Sequence, residues 1–437
     1  MAKFLSKDGK FYMREGKLLH PANILEVPIV TSNLTYNGKA QSPTIYGYDS
    51  NKMTMGGVTS GTDIGTYQIT FTPKSGYEWS DGSTTTKSAT WKIIAPPIYG
   101  VDFTNMATTS KCTRTDDAAN FADPQPAVAG GTGSSPFDNI MPWAGMVRST
   151  DPNAGEVVAI PKFYYKWETD GTKATGLKIS MTKLDGFKTS PAHMDRGDGK
   201  GERDVVYVGR YHSCDTNKST TDQLPKTNIA RSAARTAAHS LGANVWQFDF
   251  ATRVTIWMLY LVEFADWNSQ YKIGYGCGNS RSAENVGSSD TMQYHTGTMQ
   301  ANRTDYGVGV QYRYIEGLWD NVYDWMDGCY YSADGMSVIL NPNNFSDTEN
   351  GTVIGTPVAN NWIASFAVSD WAIYPNSTTG GSPTTGSCDR WNYNSRYPCL
   401  RCGGYYDRGE DFGLFCVYSV KVSYANSSVG FRVIVLP

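Results

Sequence analysis

Gly317-Leu318-Trp319-Asp320-Asn321-Val322-Tyr323-Asp324-Trp325 is the stretch on which the fold turns. Trp319, Tyr323 and Trp325 place three large rings close together, and Asn321 among them carries a short polar side chain that can hold a turn. The pattern predicts an aromatic strand belonging to the core framework. Farther along, from Cys388 to Arg432, the composition changes in kind. This segment holds six tyrosines and five arginines, but one lysine and no isoleucine, with glycines at Gly403, Gly404, Gly409, Gly413 and Gly430. Tyr and Arg give much contact area per ordered side chain, while Ser, Asn and Gly adapt their hydrogen bonds. A packing segment of this length would carry more Leu, Ile and Val, so the tail reads as a contact surface set on a rigid frame.

At 437 residues the chain is too long for a single core and predicts more than one domain. Charged residues make up 18% and the net charge is −3, which gives no electrostatic basis for binding nucleic acid or inserting at an anionic membrane. Aromatics reach 13%, a profile of β-rich extracellular or virion proteins rather than cytosolic enzymes. Charges interrupt Met1 to Leu19, so no apolar signal-peptide core is expected, and the apolar run Ile256 to Val262 is too short to cross a bilayer. The expectation is a soluble chain not exported by a signal peptide. Eight cysteines are too sparse for a disulfide scaffold. Cys399 and Cys402 form a C-x-x-C without the second knuckle of a zinc site, so free buried thiols are the better reading and no metal or cofactor is expected.

Residues 1–25 read as a short attachment segment. From residue 26 to 97 the pattern is all-β: Thr66 to Thr72 alternates with period two, placing Tyr67, Ile69 and Phe71 on one face, and Thr90 to Ile93 alternates likewise. Turn signals at Asn37-Gly38, Gly56-Gly57, Ser75-Gly76 and Asp81-Gly82 separate short strands, which predicts a small sandwich. Ala95-Pro96-Pro97 closes it as a stiff linker. In residues 98–437, Ile160 to Trp167 and Val205 to Tyr211 read as strands. Asn228 to Leu241 reads as a helix capped by Thr227 or Asn228 and stopped by Gly242. Ala251 to Asp266 reads as a second helix, apolar around most of its circumference and so buried on more than one side. Helices among short strands predict an α+β domain.

Two resemblances attach to these residues. Leu34 to Gln41, Gly65-Thr66-Tyr67 and Gly76 to Gly82 resemble bacterial immunoglobulin-like repeats, which implies a spacer at residues 26–97. The Gly317 to Trp325 stretch is similar to the Gly-Asn-Val-Trp-Glu-Trp strand of the formylglycine-generating-enzyme branch of the C-type lectin fold. Leu400 to Gly404 and Gly430-Phe431-Arg432 follow in the family's order. Within that branch the tail resembles the variable proteins of diversity-generating retroelements, in which adenine-directed rewriting varies outward positions while the lectin frame stays fixed. The resemblance covers residues 98–437 in architecture, but at the level of motifs only from Gly317 onward.

That resemblance implies a multidomain chain, an immunoglobulin-like sandwich followed by an α+β C-type lectin fold with a variable region at about 385–432. It puts Arg390, Asn392, Tyr405, Tyr406, Asp407, Arg408, Asp411, Cys416 and Tyr418 at outward contact positions. Cys388, Asp389, Gly403, Gly404, Gly413, Leu414, Phe415, Gly430, Phe431 and Arg432 fall on the frame, and Cys402, where the family carries an aliphatic, reads as a buried thiol. The implied partners are a bacterial surface receptor, protein or glycan, and phage tail proteins through the N-terminus, with a homotrimer as the assembly. The implied location is the virion tail, made in the host cytoplasm and extracellular after lysis.

The alternatives are a bacterial surface-displayed variable lectin, which would need an anchor or export signal, and a formylglycine-generating-type oxidase, which would need a reactive cysteine pair at a copper site. The five histidines are scattered and no hydrolase or His-Glu-x-x-His pattern occurs. Asp195 to Glu202 contains Arg-Gly-Asp but misses the calcium-loop register, and reads as a solvated turn. Gly130 to Gly133 lacks the Lys-Ser/Thr of a phosphate loop.

Overall fold

Alternation of apolar and polar residues builds the first of two units, Met1–Pro97. In the strand Gly65–Pro73, Ile69 and Phe71 are buried while Thr66 and Gln68 are exposed. Its antiparallel neighbour Lys87–Ile94 buries Trp91 and Ile93 and exposes Lys92. The register sets Trp91 opposite Tyr67, and the two rings stack at 4.6 Å. Asn33–Thr35 pairs with the outer side of Lys87–Ile94 and Met53–Gly57 with the outer side of Gly65–Pro73, making a four-stranded sheet. Two short pairs, Ile24–Leu25 with Glu78–Trp79 and Ile29–Val30 with Ile45–Tyr46, complete the unit. Leu25, Met53, Ile69, Phe71, Trp79, Trp91 and Ile93 form its core.

This computed structural model describes residues 12–14, 17–19, 23–276, 282–348, 351–358, 361–379, 384–409 and 412–437. Most of the expected attachment segment, residues 1–25, therefore lies outside the described residues; Tyr12–Arg14 and Lys17–Leu19 pair as antiparallel strands.

The second unit, Ile98–Pro437, begins directly after the Pro-Pro sequence. Its axis is the helix Phe250–Phe264 (α2 in chain order, after α1, Arg231–His239). Asp249 caps α2 by accepting from the Thr252 amide, Ala265 ends it in the left-handed region, and every residue between is buried. The shorter helix α1 starts later than its sequence suggests. Asn228 takes φ +54° and donates its amide to Asn426, and Ala230 precedes the helix with no side-chain cap. Tertiary bonds set that start: the fully buried Arg231 guanidinium reaches the carbonyls of Met326 and Cys329 at 3.1 and 2.6 Å.

The strand expected over Ile160 to Trp167 is two strands in different sheets, Gly155–Pro161 and Tyr164–Thr169. Pro161 has no N–H to continue a ladder, and Lys162 turns its amide to Asp204 instead. One five-stranded sheet runs Thr113–Asp116, Tyr99–Asp102, Ala174–Ser180, Tyr164–Thr169, Lys188–Thr189. Another runs Arg148–Asp151, Gly155–Pro161, Val205–Gly209, Val433–Val435, Val245–Gln247, so the C-terminal strand is locked inside it.

The largest sheet has nine strands and contains the tail. Its order is Thr352–Gly355, Gly335–Val338, Tyr323–Ser332, Cys399–Cys402, Val417–Val420, Arg390–Trp391, Asn361–Ser369, Ala372–Thr379, with Val429–Gly430 alongside Tyr323–Ser332. The Val358 amide, just past one edge strand, bonds to Pro375 on the opposite edge strand, so the sheet curls nearly onto itself. The aromatic stretch is core, with Trp319, Tyr323 and Trp325 at 2%, 1% and 0% exposure. Only its last part is strand, however: Gly317 and Asn321 take φ of +68° and +66°, and regular pairing starts at Tyr323. The chain is mostly β-sheet, in two units.

Candidate functional site

Two buried charges fix the frame beneath the tail. Arg432 is fully buried; its guanidinium donates to Asp324 at 3.1 Å, to the carbonyls of Gly209 and Arg210 at 2.8 and 2.9 Å, and to those of Glu316 and Gly317 at 2.7 and 3.2 Å. Burial alone would raise the Asp324 carboxyl, but the Arg432 guanidinium and His212 hold it down to about 2. Asp389, 1% exposed, ties the two halves of the tail together by accepting from the amides of Gly413 at 2.6 Å and Phe415 at 2.7 Å. Burial pushes its carboxyl up to about 7, against the pull of those amides. Arg253 and Trp257 on α2 both donate to the Leu414 carbonyl, the latter at 2.7 Å.

The tail also needs close backbone approach. Gly403 takes φ +75°, and a Cβ there would meet the Leu318 carbonyl at 2.6 Å; at Gly404 it would meet the carbonyls of Phe412 and Trp319 at 2.7 and 2.8 Å. The Tyr406 amide bonds to the Asn321 carbonyl at 2.9 Å. Asn321 clamps the Glu284 backbone with both ends of its amide, at 2.9 and 2.8 Å, which accounts for its bent backbone. The lead-in to the aromatic strand is thus the base on which the tail loop rests.

On this base sits an aromatic face. Tyr323 is its floor, with Tyr405 at 5.2 Å and Tyr418 at 6.4 Å between ring centroids. Arg401, directly across from Tyr418 in the antiparallel register, lies 4.1 Å over the Tyr323 ring and 5.0 Å from that of Tyr424. Arg408 covers Tyr405 and Phe412 at 5.4 and 5.1 Å. Tyr406 meets Tyr405 edge to face at 5.2 Å, and its hydroxyl reaches Ser427 at 3.0 Å. Residues on both sides of Gly413 therefore converge, and Tyr405, Tyr406, Tyr418 and Tyr424 all remain half-buried.

The residues expected to face outward divide. Tyr405, Tyr406, Arg408 and Tyr418 share this face, and Asp407 is exposed beside it. Arg390 and Asn392 engage other partners: Arg390 stacks on Trp362 at 5.1 Å, and Asn392 accepts from the Ser419 hydroxyl at 2.7 Å. Asp411 lies outside the described residues. Cys416 is a correction, since it is fully buried in the cluster of Tyr323 and Phe412 and can contact nothing from outside. Arg401, not among the residues expected to face outward, is half-buried and belongs to this face. The signal was available: alternation along Cys399-Leu400-Arg401-Cys402 puts Arg401 on the side of Tyr418.

The described cysteines other than Cys388 are free thiols. Cys399 and Cys402 join different core clusters, so the C-x-x-C does not converge on one point. Burial pushes their thiols up to about 11 and about 12, and those of Cys329 and Cys416 well above the ordinary value, so none is a ready thiolate. Among the described residues no group of three or more His, Cys, Asp or Glu side chains is placed to hold a metal ion. The Asp195 to Glu202 turn is largely exposed, at Asp195, Gly197, Gly199, Lys200 and Glu202, but within it Arg196 is 2% exposed and paired with Asp249, and Asp198 is paired with Arg203. No helix among the described residues is long and apolar enough to cross a membrane. No protein-family model matches the chain, and no curated protein matches it either.

Proposed function

We propose that this chain is a phage tail receptor-binding protein. In this reading Met1–Pro97 is an N-terminal attachment segment and immunoglobulin-like spacer, and Ile98–Pro437 is a C-type-lectin-fold head of the variable-protein kind that grips a bacterial surface receptor. The observation that carries it is the tyrosine and arginine face around Tyr323. Half-buried Tyr405, Tyr406, Tyr418 and Tyr424 stand there with Arg401 and Arg408, on a loop whose position is set by Asp389, Asn321 and Arg432 behind the face. A surface whose contact residues are separate from the residues that fix its shape tolerates exchange of the former. Protonated, buried thiols weigh against the oxidase alternative.

The test is adsorption of the purified full-length protein to a panel of bacterial strains. The combined variant Tyr405→Ala, Tyr406→Ala, Tyr418→Ala should lose adsorption to any strain the parent binds, because buried aromatic anchors typically cost about 2 kcal/mol or more each. Undiminished adsorption by a folded variant refutes the reading.

A further inference from the structure

Some described arginines of the second unit are paired with a carboxylate and others, Arg148, Arg253 and Arg390 among them, lie over rings without one. Arg210, Arg231, Arg313 and Arg432 each meet a carboxylate, at 2.9, 2.8, 2.5 and 3.1 Å. Arg401 and Arg408 meet none among the described residues. Their neighbours are rings, and Arg408 also hydrogen-bonds the Tyr405 side chain. Arg401 Nε is shielded from solvent without a hydrogen-bond partner in the protein, and its Nη1 has only a 3.5 Å approach to the Tyr424 hydroxyl. A guanidinium lying over an aromatic ring spends its face on the π-system and keeps in-plane N–H donors for a second partner; at Arg401 these are the Nη groups, since Nε is closed to solvent. The partners that match such donors are carboxylates and phosphates.

We propose that this basin binds an acidic polysaccharide, its carboxylates taken by Arg401 and Arg408 and its sugar rings lying against Tyr405, Tyr406 and Tyr418. This rests on the receptor-binding reading above and names the receptor's chemical class. Charge complementarity selects an anion. The surrounding surface selects a sugar over an acidic protein segment. From Cys388 to Arg432 the only strongly exposed large aliphatic among the described residues is Val422, so the face lacks the apolar centre of a protein–protein hot spot. Every ring of the face except Phe412 brings a hydroxyl, and exposed Asn426 and Ser427 border it, which suits a ligand dense in hydroxyls. Asp407, exposed beside Arg408, is the one described carboxylate of the loop.

The full-length protein is applied to immobilised polygalacturonate, to the same polymer with its carboxyls reduced to alcohols, and to polyglutamate. Retention on polygalacturonate should exceed that on the reduced polymer by about tenfold or more, and should weaken in high salt. The Arg401→Gln, Arg408→Gln double variant should lose about tenfold of that retention. Arg408→Gln alone, at an exposed position, should lose part of it at an unchanged melting temperature. Arg396→Gln, exposed in the turn before Cys399–Cys402, should behave as the parent. Equal retention on the charged and reduced polymers, no retention on polygalacturonate, or undiminished retention by the double variant overturns the proposal. Equally tight retention on polyglutamate also overturns it, and assigns the basin to an acidic protein. If the proposal fails while the triple tyrosine variant still loses bacterial adsorption, the receptor-binding reading stands. If that variant adsorbs normally, the parent reading fails whatever the polymers show.

Discussion

Replacing Arg432 by methionine, which has similar bulk and no donors, tests whether the link between the last two strands, Val429–Gly430 and Val433–Val435, holds the tail's frame. Arg432 is fully buried and serves Asp324 and four carbonyls drawn from the Val205–Gly209 strand and its next residue and from Glu316-Gly317. Removing one partner of a buried ion pair costs roughly 3–5 kcal/mol, because the other charge stays buried. Asp324 would retain only His212, at 3.0 Å. Arg432→Lys keeps the charge but cannot span the same acceptors, and should cost about half as much. Urea unfolding read by tryptophan fluorescence reports chiefly on the second unit, since only Trp79 and Trp91 of the 12 tryptophans lie in the first.

The pH dependence gives an independent check on the same residue. In the parent, Asp324 is held at about 2, below its unfolded value, so it stabilises the fold above pH ~4 and that contribution is lost as pH falls toward 2. In Arg432→Met the largest remaining influence is burial, which raises the carboxyl. The sign then reverses, and stability falls as pH rises from about 4. A loss under about 1 kcal/mol at pH 7, or an unchanged pH profile, would refute the reasoning.

Asp389 titrates high, at about 7, so its share of stability is present below pH ~4 and fades as pH rises through 7; Asp389→Asn should flatten that part of a stability–pH curve. Trp325→Ala should cost about 3–5 kcal/mol in urea unfolding, as a fully buried ring removed from the core. The combined change Tyr405→Ala, Asp407→Ala, Arg408→Ala should cost only about 1–2 kcal/mol, nearly all from the Tyr405–Tyr323 contact, and a fully unfolded variant would show the loop to be structural. A chain beginning at Ile98 should fold and keep bacterial adsorption, measured on the same strains; loss of adsorption by a folded head would move the site into the first unit.

What the sequence disclosed follows from how local each signal is. Period-two alternation in Gly65–Pro73 and Lys87–Ile94 is set by one buried face, and the buried residues fall where the alternation puts them. The helix Phe250–Phe264 is legible because an all-round apolar run admits only burial, and Asp249 marks its start. The start of Arg231–His239 is not legible, because the deciding partners, Met326, Cys329 and Asn426, lie far along the chain. The break at Pro161 was readable from proline chemistry alone, yet the run of aromatic and β-branched residues around it outweighed the missing N–H.

The contact face divides along the same line. Composition points to Tyr405, Tyr406, Arg408 and Tyr418 as contact residues, although Leu400, Leu414, Phe415 and Val417 of the same tail are core. Parity then misleads for Cys416 and informs for Arg401. Cys416 sits two residues before Tyr418, where alternation alone would turn it outward. Phe412 and Tyr418, 5.4 Å apart, belong to the ring cluster that closes around it, and that cluster includes Tyr323 from another strand. Arg401 sits across from Tyr418, where alternation also turns it outward, and it stays half-exposed because a guanidinium caps the ring below with its head at the surface. The difference is charge. A thiol at such a position can be roofed over at little cost, whereas a guanidinium needs acceptors: Arg253, buried without a carboxylate, has the Leu318 and Leu414 carbonyls, while Arg401 has only the Tyr424 hydroxyl among the described residues. That shortage of acceptors is what makes Arg401 the most informative residue of the face.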